Sequence, residues 1–236
     1  MSRGTPHSGD DPHGAEPLVT GGTAVAEADA ALVLVHGRGA TARSVLQLGA
    51  QLAGDRDLAL LAPQAAANTW YPNSFLSPVA DNEPGRRSGL GAVNRAVETA
   101  TDAGIDAENL LVGGFSQGAC LASEFVARNP TRYGGFAAFS GGLIGESIAI
   151  DDYVDGAVAA GHETPGDGLD GTPAFLGCSD VDPHIPEERV HATAEVLEAL
   201  GADVDTRIYE GMGHGINDDE IEAVSAIVGE LSDFSG

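Results

Sequence analysis

A serine hydroxyl is a weak nucleophile at neutral pH unless an imidazole takes its proton during attack, and that imidazole needs a carboxylate to fix its tautomer. The chain holds these three types in the order Ser116, Asp182, His214. Ser116 lies in Gly114-Phe115-Ser116-Gln117-Gly118, a G-x-S-x-G stretch that would present a nucleophile on a sharp strand-to-helix turn, where flanking side chains must be nearly absent. With 33 glycines in the chain, the stretch alone is also compatible with an ordinary Ser/Gly turn. The partners downstream decide between the two. Asp180 rivals Asp182 for the acid, being two residues away and able to face the same side of an extended loop. Asp182 is preferred because Pro183 sets the turn after it, while Asp180 reads as a loop-stabilising hydrogen-bond acceptor.

A tetrahedral oxyanion also needs donors aimed in advance, each typically worth ~2.7 to 4 kcal/mol. His36-Gly37-Arg38-Gly39 follows the apolar run 31 to 35, and the backbone N–H of Arg38 is expected to pair with that of Gln117, the residue after the nucleophile. The elements that must hold these groups are legible as alternation. Apolar runs at 31 to 35, 58 to 62, 110 to 113, 136 to 139, 173 to 178 and 204 to 209 alternate with helical patterns near 42 to 53, 88 to 103, 118 to 128, 186 to 200 and 217 to 232. That alternation predicts an α/β fold, a mainly parallel sheet with helices on both faces. Ser116, Asp182 and His214 all fall just past the carboxyl ends of predicted strands, where open α/β sheets place ligands.

Residues 31 to 39, 110 to 118, 180 to 186 and 209 to 216 together resemble the phospholipase/carboxylesterase family of α/β-hydrolases, which includes acyl-protein thioesterases and small bacterial carboxylesterases. The likeness runs from about residue 17 to the C-terminus. Carried over by position, it implies an α/β-hydrolase fold, a Ser116, Asp182, His214 triad, Arg38 and Gln117 as oxyanion donors, and no cofactor. It implies a carboxylic ester hydrolase acting through an acyl-enzyme, with thioesters, lactones and acyl transfer within reach of the same residues. The chain departs from the family in two places. Cys178-Ser179 stands where the acid loop usually opens with His-Gly, and residues 68 to 75 lack the usual thioesterase pattern. The competing reading from another class is a non-catalytic α/β-hydrolase-like protein that binds a small molecule.

Trp70, Tyr71 and Phe75 group three of the chain's 12 aromatic residues within six positions, which fits the wall of a pocket for small to medium acyl esters or a packed surface loop. His36 is expected to orient the oxyanion turn. His184 and His191, near Asp180 and Asp182, raise a mixed N/O metal site, but no metal is assigned because both positions read more simply as loop and helix surface. His7, His13 and His162 are expected to be exposed. Cys120 and Cys178 are read as a reduced pair near the site.

Eleven cations, all arginine, face 36 carboxylates, 11 − 36 = −25, while 42% of the chain is hydrophobic. The apolar periodicity excludes acidic disorder, and the charge resembles that of proteins from a high-salt cytoplasm, where repulsion is screened. No basic stripe exists to neutralise phosphates, so nucleic acid is not an expected partner. No apolar run approaches ~18 residues, so no membrane span is expected. At 236 residues the chain fits a single domain from 17 to 236, behind a Gly/Pro-rich segment, 1 to 16, expected to be disordered and lacking a secretory h-region. A cytoplasmic enzyme with a small-molecule ester substrate is the expectation, with homo-oligomerisation left open. Residues 143 to 172 read as an acidic surface excursion before the acid-bearing strand.

Overall fold

Apolar runs rich in Val, Leu, Ala and Phe become the strands of one sheet, and their period of two splits the core into layers. The computed structural model describes residues 9–159 and 168–231. Its strands are β1 (Leu18–Gly22), β2 (Ala31–Val35), β3 (Ala59–Pro63), β4 (Leu110–Phe115), β5 (Gly135–Phe139), β6 (Pro173–Ser179) and β7 (Asp203–Tyr209). They form a seven-stranded sheet in the order β1-β3-β2-β4-β5-β6-β7, parallel except where β1 pairs antiparallel with β3. Six helices flank it: α1 (Ala42–Ala53), α2 (Gly85–Asp102), α3 (Gln117–Arg128), α4 (Asp151–Ala159), α5 (Glu187–Ala199) and α6 (Asp218–Leu231). Ala31, Val33 and Val35 of β2 point into a layer with α2, α3 and α5, whereas Leu32 and Leu34 point into a second layer with α1 and α6. The sheet is thus covered on both faces, as an α/β fold requires.

Chain order reverses across β2. After β3 the chain crosses back over β2 to lay down β4, so the carboxyl ends of β2 and β4 flank a topological switch point. Val35 pairs with Gly114 there, which brings the turn after β2 beside the turn after β4. Ser179 pairs with Tyr209 at the far side, setting the loops after β6 and β7 next to each other. Four loops therefore converge at one edge of the sheet.

Two elements differ from the sequence expectation. β1 carries no alternating apolar pattern and ends in Gly21-Gly22, so its strand character comes from pairing with β3, not from propensity. The stretch 143 to 172 is not simply a surface excursion. Leu143, Ile144, Tyr153 and Leu169 are buried, α4 begins with Asp151 and Asp152 at its positive end, and Arg189 of α5 donates to the carbonyls of Leu143, Gly145 and Glu146. His162 lies outside the described residues.

The N-terminal segment is a further correction. Residues 1–8 lie outside the described residues, but 9 to 16 run as turns against α2 and the loop after β3, with His13 buried. His13 donates its backbone N–H to Ser88 Oγ at 2.8 Å and its Nε2–H to the Trp70 carbonyl at 2.8 Å, and its Nδ1 accepts from Ala66 N–H at 3.0 Å. Composition hid this, because bonds from single polar side chains, His13 to Trp70 and Ala66 and Asp11 with Ser88, order a segment that has no apolar pattern. Burial holds its imidazole below the ordinary histidine range and so keeps it neutral, despite the bond to Trp70.

Candidate active site

Ser116 sits between the last residue of β4 and the first of α3, with φ 55° and ψ −123°, a conformation that non-glycine residues rarely adopt. The neighbouring glycines make room for it. A Cβ on Gly118 would run into the Val35 and His36 carbonyls, and one on Gly114 would meet the Val35 carbonyl at 2.6 Å. The serine is held at both ends: its N–H donates to the Phe139 carbonyl, and its carbonyl accepts from Cys120 N–H, each at 2.9 Å.

His214 and Asp182 arrive from the adjacent loops. His214 Nε2 lies 2.9 Å from Ser116 Oγ, and His214 Nδ1 lies 2.7 Å from Asp182 Oδ2. The carboxylate is fully buried, whereas the imidazole is 19% exposed. Burial pushes the Asp182 carboxyl up, but the bond from His214 and the N–H groups of His184 (2.8 Å) and Ile185 (3.1 Å) outweigh it and hold it below the usual carboxylate range. Asp180 turns elsewhere. Its Oδ1 accepts from Gly211 N–H at 2.8 Å while Ser179 Oγ accepts from Gly213 N–H at 3.0 Å, so these two residues tie the acid loop to the histidine loop. Gly211 and Gly213 both have positive φ, which lets that loop curl back over the sheet edge. Beyond it, Asn217 and Glu220 form a capping box at the start of α6: Asn217 N–H donates to Glu220 Oε2 at 2.8 Å and Glu220 N–H to Asn217 Oδ1 at 3.0 Å.

Arg38 and Gln117 line the same cavity as Ser116 and His214. Among the described residues neither of their backbone N–H groups has an acceptor. Arg38 lies in the turn after β2 and Gln117 is the first residue of α3, where a helix leaves its N–H groups unpaired and carries partial positive charge. His36 stabilises that turn through Nδ1–H to the Gly37 carbonyl at 2.8 Å and Nε2 accepting from Ala65 N–H at 3.1 Å. Burial lowers its pKa, so it acts as a neutral imidazole.

The cavity measures ≈ 540 Å³ and is lined by Tyr71, Phe75, Phe115 and Ile185, together with Cys120 and His184. Trp70 is not among the lining residues. Its Nε1–H donates to the His36 carbonyl at 2.8 Å and its ring stands against His36 and His13, so it props the turn after β2 from behind. Phe115 and His184 were missed as neighbours of the imidazole, with ring centroids 4.9 and 5.0 Å from His214. For Phe115 the signal was available, since it precedes Ser116 at the exposed end of β4. His191 points away, toward Glu187 of its own helix at 3.3 Å, and no group of three or more His, Cys, Asp or Glu among the described residues is arranged around a common metal position. Burial raises both thiols to about 12, with the Asp182 charge adding to it at Cys178, so neither cysteine supplies a thiolate.

A profile of the phospholipase/carboxylesterase family matches residues 23–231. The chain belongs to that family. Among its relatives, acyl-protein thioesterase 1 of Kluyveromyces lactis is 31% identical over 140 residues, 58% of this chain and 57% of the relative. Acyl-protein thioesterase 1 of Gibberella zeae is 31% identical over 132 residues, 56% of this chain and 52% of the relative. The chain thus spans little more than half the length of the curated family members it matches. The solved phospholipase/carboxylesterase of Dyadobacter fermentans is similar over more of the chain, with 39% identity, a TM-score of 0.81, and 91% of this chain and 96% of that one covered. The fold of the family is the α/β-hydrolase fold, and the sheet and six helices described above are its layers. No helix among the described residues is long and apolar enough to cross a membrane.

Proposed function

We propose that the protein is a serine hydrolase of carboxylic esters, with Ser116 as nucleophile, His214 as general base and acid, and Asp182 as the carboxylate that orients it. One observation carries this reading: the unbroken hydrogen-bonded line from Ser116 Oγ through both ring nitrogens of His214 to a buried carboxylate. In the first half-reaction His214 Nε2 takes the Ser116 proton as Oγ attacks the ester carbonyl. Asp182 accepts from Nδ1–H throughout, fixing the tautomer that leaves Nε2 free as a base and stabilising the imidazolium that forms. The N–H groups of Arg38 and Gln117 stabilise the oxyanion. Collapse returns the proton from His214 to the departing alcohol or thiol, and water repeats the sequence on the acyl-enzyme. Among substrates, small to medium acyl esters suit a ≈ 540 Å³ cavity with aromatic and aliphatic walls. Thioesters come into consideration through the names of the thioesterase relatives. The acidic composition supports a high-salt cytoplasm as the working environment.

The test is covalent labelling of the folded protein in molar salt with a fluorophosphonate, read by mass spectrometry of the peptide carrying Ser116. Modification of Ser116, lost in Ser116→Ala, is expected. A folded protein that resists labelling and hydrolyses no ester from a p-nitrophenyl acetate to laurate series would be a binding protein instead. A rate maximum at laurate would overturn the small-cavity part of the reading alone.

A further inference from the structure

Residues 71 to 75 form one wall of the cavity, in a segment without helix or strand from 69 onward, so its carbonyls need partners from elsewhere. The two residues proposed as oxyanion donors supply them with their side chains. Arg38 donates from Nη1 to the Pro72 carbonyl at 3.1 Å, and from Nη2 to the Tyr71 and Asn73 carbonyls at 3.0 and 2.7 Å. Gln117 donates from Nε2 to the Tyr71 carbonyl at 2.9 Å, and its Oε1 accepts from Trp70 N–H at 3.0 Å. The backbone of the oxyanion turn is joined to the same segment by Gly39 N–H to the Asn68 carbonyl at 2.7 Å, and by Trp70 Nε1–H to the His36 carbonyl. Arg38 makes no salt bridge among the described residues, in a chain with 36 carboxylates and only 11 cations. A guanidinium in so acidic a chain, yet committed to three successive carbonyls, serves geometry and not charge pairing.

We propose that the side chains of Arg38 and Gln117 are positioning elements that couple the cavity wall to the oxyanion donors. An acyl group seated against Tyr71 and Phe75 presses on a segment fastened to the two residues whose N–H groups must meet the oxyanion. Wall occupancy therefore sets donor geometry, and acyl selectivity appears in the chemical step instead of in ground-state binding. The inference rests on the reading of Ser116 as nucleophile and adds to it a source of specificity.

Fluorophosphonate labelling separates the two claims, because its failure removes the nucleophile, whereas the coupling is tested only in protein that labels. The acylation rate constant at saturation and the substrate dissociation constant are then measured in single turnover for p-nitrophenyl acetate, butyrate and hexanoate. Wild type, Arg38→Met and Gln117→Glu are compared. Both variants keep their backbone N–H; Arg38→Met removes the guanidinium, and Gln117→Glu keeps the acceptor for Trp70 and loses the donor to Tyr71. Wild-type acylation is expected to quicken about tenfold from acetate to hexanoate. In either variant that gradient should shrink to about twofold, because the acylation rate falls further for hexanoate than for acetate, while the dissociation constants change less than the rate constants. An equal loss for all three esters, an effect confined to dissociation constants, or a flat wild-type series would overturn the coupling. Thermal melts establish that each variant is folded, and if one is not, the other carries the comparison.

Discussion

Replacing one oxygen of the Asp182 carboxylate by an amide would offer His214 Nδ1 a donor where it now meets an acceptor 2.7 Å away, and so favour the tautomer that cannot take the Ser116 proton. Asp182→Asn is expected to lower kcat by roughly 10³ to 10⁴-fold with little change in KM, measured by steady-state ester hydrolysis. Asp180→Asn removes nothing from the imidazole and leaves an acceptor for Gly211 N–H, so it should cost less than about tenfold. The reverse ranking would transfer the acid role to Asp180. At this scale the sequence made legible which side chains meet, since Ser116, His214 and Asp182 form one hydrogen-bonded line and the chemistry proposed for them restricts residue type strongly. It carried their supports poorly. That Trp70 would stand behind the turn, that the side chains of Arg38 and Gln117 would hold the carbonyls of residues 71 to 73, and that His184 would stand edge-on to His214 depend on how loops distant in sequence fold against one another. No spacing rule reports that.

The elbow between β4 and α3 has no spare volume, since a methyl group on Gly118 would occupy the space of the Val35 and His36 carbonyls. Gly118→Ala is expected to destabilise the fold by about 1 to 3 kcal/mol and to displace Ser116, visible as a lower urea midpoint together with slower labelling. At the start of α6 the constraint is electrostatic. Glu220 is fully buried and one of its oxygens, Oε1, lacks a partner among the described residues. Burial, with a contribution from the Asp219 charge, raises its carboxyl to about 7 against the bond from Asn217. Because the folded state binds this proton more tightly than the unfolded chain does, the penalty is absent below the ordinary value of 4.5, grows as pH rises, and is complete above about 7. Glu220→Gln should therefore stabilise the protein at pH 8 by up to about 3 kcal/mol and lose that advantage toward pH 4.5, by urea titration at fixed salt. Equal gains at both pH values would exclude ionisation as the cause. The sequence announced the central strands and the long helices closely, because burial on both sheet faces leaves continuous apolar runs. It missed β1 and α4, whose residues acquire their conformation from neighbours: pairing with β3 in one case, and in the other a short acidic helix whose Tyr153 reaches the buried Glu124 of α3 at 3.1 Å.

Over the whole molecule a net charge of −25 acts on a fold whose two apolar layers are otherwise complete. Self-repulsion among exposed carboxylates has a range of ~10 Å at 0.1 M salt and ~3 Å at 1 M, so added salt removes most of it while leaving buried bonds such as Arg86–Glu124 largely unscreened. The melting temperature and ester turnover are expected to rise together between 0.1 and 3 M KCl. A melting temperature independent of salt would mean that the acidic surface is no burden to this fold. The N-terminal turn around His13 bears on the molecule in another way. A chain shortened to begin at Leu18 would still hold every strand and helix of the described residues, and it is expected to look intact by circular dichroism. It would nevertheless lack the imidazole that braces Ala66 and Trp70, and with it the rear support of the wall facing the substrate. What reads by composition as a disordered segment would then register, on deletion, as a change in substrate preference in a protein that still folds.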